Sequence, residues 1–101
     1  MIYSLKLPMG IEDVEEMRVL EWHGEPGHQF RPGDLVVELE THKALIEVSA
    51  GQAGILRRTF SAEGEWGAPG LPLAIFSDDA GEELPDTPEK LAELQVNFNI
   101  A

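Results

Sequence analysis

The segment from residue 35 to residue 48 reads Leu35-Val36-Val37-Glu38-Leu39, then Glu40-Thr41-His42-Lys43-Ala44, then Leu45-Ile46-Glu47-Val48. Two runs of β-forming residues separated by a few polar ones predict a β-hairpin. Lys43 falls at or beside the tip of this hairpin, so its ammonium group is expected to be exposed. The other two lysines lie in a predicted strand (Lys6) and near the C-terminus (Lys90), which makes Lys43 the most accessible amine of the folded domain.

Two Pro-Gly turns indicate an internal repeat around this hairpin. Pro32-Gly33 follows Gly27, Pro69-Gly70 follows Gly64, and in both cases the two glycines are six residues apart. A shift of 37 residues superimposes the two sets and lays the first strand of the hairpin over the run 72–76. Two copies of one unit, each too small to bury its own apolar face, are expected to pack against each other.

The remainder of residues 1–77 is divided by glycines and prolines into short segments. The runs of β-forming residues between the turns are Ile2–Leu7, Met17–Trp22, Leu35–Glu40, Leu45–Val48, Ile55–Phe60 and Leu73–Phe76. Short strands at such close spacing predict an all-β sandwich or small barrel. We interpret the larger aromatic side chains as packing residues, namely Trp22, Phe30, Phe60, Trp66 and Phe76.

Composition and charge exclude several classes of function. The 101 residues carry 19 acidic and 7 basic side chains, a formal net charge of −12, and such a surface repels nucleic-acid phosphates and anionic lipid. No apolar run approaches the roughly 18 residues of a membrane span, and residues 1–7 lack the features of a signal peptide, so a cytoplasmic location is expected. The absence of cysteine excludes disulfides and thiol catalysis. Histidines at 23, 28 and 42 without cysteine predict no metal site, and we interpret His23 and His28 as surface residues without partners.

Residues 78–101 differ in composition from the rest of the chain. They hold seven acidic residues against one basic residue, with glycine and proline among the first nine. Such a stretch is typical of a linker or a solvated tail. The sequence therefore predicts a compact domain over 1–77 and an acidic linker and C-terminal tail over 78–101.

Within that tail two short elements are predicted. Thr87-Pro88 is typical of a helix N-cap and first helical position, which predicts a short helix over Glu89–Leu94. Val96, Phe98 and Ile100 alternate with asparagines, which is the spacing of a strand. Such a strand is expected to pair with the chain's own barrel, with a second copy or with a partner enzyme.

The hairpin and its flanks resemble a known family. The segment Gly33–Ala44 is similar to the attachment segment of lipoyl domains of 2-oxo acid dehydrogenase complexes, in which Glu-Thr-Asp-Lys-Ala holds the modified lysine. Upstream, Trp22 and the Gly27-x5-Gly33 spacing match the family pattern, and downstream Val48–Leu56 resembles its small-residue bend. The resemblance covers about residues 2–77 and implies a flattened barrel of two four-stranded antiparallel sheets with quasi-twofold symmetry.

The resemblance also implies a function. Lys43, flanked by Glu40, Thr41, His42 and Ala44, is the expected site of covalent lipoate attachment, on a non-catalytic carrier that moves acyl groups and reducing equivalents between enzymes. The implied partners are a lipoate-attaching ligase or transferase, a thiamine-dependent 2-oxo acid decarboxylase, an acyltransferase core and dihydrolipoyl dehydrogenase. The resemblance places the acidic loop 8–16 near the lysine, where it either helps the decarboxylase to recognise its carrier or is simply a solvated loop.

Departures from the family pattern leave alternatives open. His42 replaces the usual Asp, either as a tolerated exposed residue or as a change in recognition by the ligase or decarboxylase. Biotinyl domains share the fold and usually flank their lysine with methionines, which are missing here. A biotin carrier and an unmodified interaction module of the same fold remain the alternatives to a lipoyl carrier. We expect a free-standing carrier rather than an excised domain.

Overall fold

The structure, a computed structural model, describes residues 1–85 and 91–100. Ten strands account for its regular structure. They are β1 (Ile2–Lys6), β2 (Met17–Trp22), β3 (Gln29–Phe30), β4 (Leu35–Glu40), β5 (Leu45–Ala50), β6 (Gly54–Thr59), β7 (Trp66–Gly67), β8 (Pro72–Ser77), β9 (Ala92–Glu93) and β10 (Val96–Ile100). Within these described ranges no helix is long and apolar enough to cross a membrane.

The strands form two five-stranded sheets that pack as a sandwich. One sheet has the order β3-β6-β8-β1-β9 and the other the order β10-β5-β4-β2-β7. All pairs are antiparallel except β1 with β9. The predicted all-β sandwich of two antiparallel sheets is confirmed, and each predicted four-stranded sheet gains one edge strand from the C-terminal segment.

The two copies of the 37-residue repeat are related by quasi-twofold symmetry in the structure. A shift of 37 moves the bounds of β2, β3 and β4 onto those of β6, β7 and β8. The pairs β2–β4 and β6–β8 also carry equivalent bulges, between Val19 and Glu21 and between Leu56 and Arg58. The symmetry therefore extends from the turns to the register of the sheets.

Two of the turn glycines show why the repeat is visible in the sequence. Gly33 and its counterpart Gly70 have φ of +94° and +89°, a region that residues with a Cβ rarely adopt. In equivalent bonds the Gly33 N–H donates to Ala50 O and the Gly70 N–H to Leu7 O. The same backbone requirement at both places selects the same residue.

The core lies between the two sheets and draws on both halves of the repeat. Phe30 packs edge-to-face on Phe76, with ring centroids 5.9 Å apart. The largest fully buried side chains are Phe30, Phe76, Met17, Leu39, Ile46, Leu56, Leu73, Ile75, Val19, Val36, Val37 and Val48. In β5 buried and half-buried positions alternate, as expected for a sheet covered on one face, whereas β8 is buried along its last five residues.

The C-terminal segment is built into both sheets. Ala92–Glu93 form β9 beside β1, and the Leu94 N–H donates to Ser4 O at 2.9 Å, so the predicted helix is wrong over this part; 86–90 lie outside the described residues. The N-cap pattern is local, so it carries no information on the pairing of Ala92–Glu93 with β1, some 90 positions earlier. The predicted strand at Val96–Ile100 is confirmed and pairs with β5 of the chain's own sandwich. The domain boundary near 77 stays a prediction.

Candidate functional site

The tip of the β4–β5 hairpin is held by the side chain of Thr41. This residue is 5% exposed, and its Oγ1 accepts hydrogen bonds from the N–H of Lys43 at 3.1 Å and of Ala44 at 2.9 Å. The hydroxyl also donates to Ala44 O at 3.3 Å, while the Thr41 N–H donates to the same carbonyl at 2.8 Å. A threonine hydroxyl thus closes the turn together with one main-chain bond.

This closure explains how a turn without glycine is made. Two-residue hairpins favour primed turns, in which one or both central residues need a positive φ. Among the described residues Asp13 is the one non-glycine residue with positive φ, so His42 and Lys43 both avoid that region. The hydroxyl of Thr41 supplies an acceptor inside the turn, and His42 and Lys43 remain at its outer side.

Lys43 projects into solvent from this turn. Its side chain is 56% exposed, and Nζ lies 3.5 Å from Oδ2 of Asp13, which is itself 70% exposed. A pair this exposed contributes little to stability, because both groups are well hydrated. The lysine is therefore presented by a hydrogen-bonded turn and stays largely exposed.

Asp13 belongs to the acidic loop that joins β1 to β2, so the structure brings loop 8–16 to the lysine, as the resemblance implied. Its φ of +62° marks a sharp bend of the loop. Beside it is an open hollow of about 390 Å³ lined by Asp13, Glu15, Glu16, His42 and Trp66. Acidic side chains and the aromatic ring of Trp66 thus line the same hollow beside the hairpin tip.

The base of the hairpin is braced by an arginine. Arg18 on β2 pairs with the carboxylate of Glu40, the last residue of β4, and its guanidinium lies over the Trp66 ring, 5.6 Å from the centroid. Glu40 therefore acts as a support for the hairpin, at one remove from the lysine. Ala44 follows the tip and has a small, half-buried side chain. The structure thus gathers all five predicted site residues at one turn.

Exposed apolar side chains collect at this end of the sandwich. Phe60, Trp66 and Leu71 are 39%, 50% and 50% exposed, and with Leu7 they line a hollow of about 350 Å³. The interpretation of Phe60 and Trp66 as packing residues is therefore wrong, whereas Phe30 and Phe76 are buried. Trp22 is half-buried against the core, and its indole N–H donates to Ser61 O at 3.0 Å.

Two histidines have partners that the sequence did not indicate. His28 stacks edge-on against Phe30 at 4.5 Å. His23 Nε2 lies 2.6 Å from Oε1 of Glu38 on the neighbouring strand, and Glu21 is close enough that one ligand atom from each of the three lies within 4.8 Å of the others. His28 is exposed, as expected of a surface residue, and His23 is half-buried; the interpretation that both lack partners is wrong. The prediction of no metal stays a prediction.

Comparison with known proteins adds the family. The biotin–lipoyl family model, described as biotin-requiring enzyme, matches residues 3–76. Two similar proteins are the dihydrolipoyllysine-residue succinyltransferase components of the 2-oxoglutarate dehydrogenase complexes of Staphylococcus saprophyticus and Bacillus subtilis. They are 30% and 28% identical over 86% and 89% of this chain. A third is the dihydrolipoyllysine-residue acetyltransferase component of the pyruvate dehydrogenase complex of Rickettsia bellii, 29% identical over 93% of the chain. The matches span only 20%, 22% and 22% of these relatives' own lengths.

Proposed function

The chain belongs to the biotin–lipoyl family, and from this premise we propose that Lys43 carries lipoate in amide linkage. We propose further that the chain acts as a mobile carrier between the enzymes of a 2-oxo acid dehydrogenase complex. When attached, lipoate supplies a dithiolane that takes up acyl groups and electrons. The chain itself supplies position.

The observation that carries this proposal is the hydrogen-bonded turn closed by Thr41, which presents a primary amine to solvent. Its hydroxyl binds the N–H groups of Lys43 and Ala44, while the Lys43 side chain stays 56% exposed. A carrier needs this combination, because several enzymes must reach the same group in the same orientation. An amide at Nζ removes the ammonium charge, and the contact with Asp13 then loses its ionic character.

Two observations favour lipoate over biotin. The similar proteins from three bacteria are named as dihydrolipoyllysine-residue acyltransferases. The neighbours of Lys43 are His42 and Ala44 in place of the methionines usual beside a biotinyl lysine. Because the chain covers about a fifth of those relatives, a carrier role, without acyltransferase activity of its own, is the part of their function we assign to it.

The partners follow from the same proposal. A lipoate ligase or transferase would modify Lys43, and a thiamine-dependent 2-oxo acid decarboxylase would load the carrier. An acyltransferase core would unload it, and dihydrolipoyl dehydrogenase would reoxidise it. The acidic loop beside the lysine offers a surface for the decarboxylase, since Asp13, Glu15 and Glu16 line one hollow with His42.

The test is the intact mass of the protein after co-expression with a lipoate ligase. We expect one lipoyl adduct on the wild type, none on Lys43→Arg, and one on the matched control Lys6→Arg. Arginine keeps the charge of Lys43 but offers no primary amine, and at an exposed tip it should change unfolding free energy by less than about 0.5 kcal/mol.

Three outcomes contradict the proposal. A biotin adduct at Lys43 would make the chain a biotin carrier, and a lipoyl adduct that persists in Lys43→Arg would move the site elsewhere. An unmodified wild type, in cells where a known lipoyl domain is fully modified, would favour an interaction module that has lost its cofactor.

A further inference from the structure

Strand β10 is an unusual edge of the sandwich. It pairs with β5 in continuous register from Val96↔Ala50 to Ile100↔Ile46, and it is the last strand of its sheet, so its other side is open within the described part of the chain. The other three edge strands, β3, β7 and β9, are two residues long, whereas β10 has five. Short edges are a common protection against unwanted strand pairing, and β10 lacks it.

The side chains of β10 also lack the features that discourage pairing with another strand. The sequence Val96-Asn97-Phe98-Asn99-Ile100 has no charged residue, no proline and no glycine, in a chain with a net charge of −12. Natural edge strands are usually interrupted by lysine, proline or a bulge, because an open row of N–H and C=O groups pairs readily. β10 pairs with β5 without a bulge.

Alternate residues of β10 direct their backbone N–H and C=O groups towards β5 or towards the open side. Gln95 O accepts a hydrogen bond from the Gly51 N–H at 2.7 Å, so the backbone of Gln95 is turned towards β5. In an antiparallel ladder the direction alternates along the strand, which turns the N–H and C=O groups of Val96, Phe98 and Ile100 outward. The side chains of Phe98 and Ile100 are 46% and 53% exposed.

We propose that β10 is a dimerisation edge that pairs antiparallel with β10 of a second copy of this chain, centred on Phe98. Phe98 is the middle residue of the strand, so a twofold axis there sets Phe98 opposite Phe98 and Val96 opposite Ile100. All three outward-facing residues then form hydrogen-bonded pairs, and the exposed apolar side chains cover one another across the axis.

The uncharged edge can accommodate a second copy despite the net charge of the chain. Two chains of −12 each repel over most of their surfaces, and an uncharged edge is where they approach at the lowest electrostatic cost. The alternation of Val, Phe and Ile with Asn is self-complementary under a twofold axis. The edge also carries no charged group that would select a different partner.

The proposed dimer leaves both hairpins free. Ile100 lies opposite Ile46, three residues from Lys43, so each β10 runs towards its own hairpin end. Antiparallel pairing then places the two Lys43 residues at opposite ends of one continuous sheet. The pairing does not depend on modification of Lys43, and its test is independent of the carrier proposal.

The first test is sedimentation of the full chain over a concentration series. We expect the mass to rise from 11.1 kDa towards twice that value. The dimer fraction should grow as salt is raised from about 0.02 to about 0.5 M, because screening weakens the repulsion between the copies. Phe98→Glu should remain monomeric, since it sets two carboxylates opposite each other, whereas Phe98→Leu should still dimerise.

Leu71→Glu is the matched control, because it changes an equally exposed apolar residue to the same acid away from the edge. Dimerisation lost equally in Leu71→Glu and Phe98→Glu would overturn the proposal. So would a wild type that is monomeric throughout the series, or an association that weakens as salt is added.

A second test covers the case in which Phe98→Glu disturbs folding. The chain has no cysteine, so Phe98→Cys places one thiol at the axis, where a directly opposed pair lies within reach of a disulfide. Under mild oxidation we expect covalent dimers of Phe98→Cys to form at least several-fold faster than those of the control Leu71→Cys. Equal rates for the two variants would contradict the proposed register.

Discussion

At the scale of single residues, the hydroxyl of Thr41 does more for the site than any charged group around it. It binds two N–H groups and one carbonyl of the turn, whereas Asp13 makes an exposed contact with Lys43. Buried or half-buried hydrogen bonds depend on their partners, because water does not fully replace them. The backbone position of Lys43 is therefore fixed by the Thr41 hydroxyl rather than by the exposed contact with Asp13.

Replacement of Thr41 tests this reading. Thr41→Val keeps the shape but leaves the N–H groups of Lys43 and Ala44 without their acceptor, and we expect a loss of about 1–2 kcal/mol in unfolding free energy. Modification of Lys43 by the ligase should also slow. Denaturant unfolding and a time course of intact mass measure the two effects. Thr41→Ser, which keeps the hydroxyl, should lie close to the wild type, and a Val variant as stable as Ser would contradict the assignment.

At the scale of elements, the last strand is docked by backbone contacts. The Gly51 N–H donates to Gln95 O, and the Gln95 N–H donates to the Gln52 side chain at 2.9 Å. A Cβ on Gly51 would lie only 3.0 Å from Gln95 O, so no larger residue fits there without a shift of the tail. The small-residue bend after β5 thus forms the backbone contacts that dock the C-terminal strand.

Gly51→Ala should therefore loosen β10 while leaving the hairpin in place. We expect faster amide hydrogen exchange for Val96–Ile100, with little change in β4 and β5, because the added Cβ crowds the backbone of Gln95 and Val96. Gly81→Ala is the matched control, since its Cβ would meet only Asp79 Oδ1, at an ordinary 3.5 Å. Unchanged protection of β10 in Gly51→Ala would show that the tail does not depend on this contact.

At the scale of the whole molecule, the two ends of the sandwich differ in chemistry. The hairpin end carries Lys43 and the exposed side chains of Phe60, Trp66 and Leu71. At the opposite end the N-terminal amine contacts Glu82 at 2.7 Å and Asp78 at 3.4 Å. Arg57 there donates to the carbonyls of Asp79 and Glu82. The acidic segment that follows β8 is therefore tied down where it leaves the sheet.

The contact of the N-terminal amine with Glu82 and Asp78 should weaken at alkaline pH. The hydrogen bond that the Met1 amine donates to the Glu82 carboxylate raises the pKa of the amine above its usual 8.0, with a smaller contribution from Asp78. Because the pKa is raised on folding, the contribution to stability is complete below about pH 8 and is lost as the pH rises through the higher folded value.

The stability difference between the wild type and Glu82→Gln isolates this effect, because other groups titrate alike in both proteins. We expect the difference to shrink as the pH rises above about 8. Denaturant unfolding at a series of pH values measures it. A difference that stays constant or grows over that range would show that the amine and Glu82 do not interact in solution.

Much of the fold was predictable because its signals are local. Glycine is strongly favoured where φ is close to +90°, so Gly33 and Gly70, with φ of +94° and +89°, mark equivalent turns in the sequence itself. β-forming residues between such turns predicted the six longer strands of residues 1–77, and the run around Lys43 predicted its hairpin. These features depend on residues that are close together along the chain.

Tertiary structure decided what depends on residues far apart. Residues 92–93 form a strand because they pair with β1. Phe60 and Trp66 are exposed because neither sheet covers their side chains. The contact of Asp13 with Lys43 and that of His23 with Glu38 join different strands or loops. The strands, the repeat and the lysine at the tip follow from local sequence, whereas their surroundings depend on how the two halves pack, because burial and register are properties of the assembled sheets.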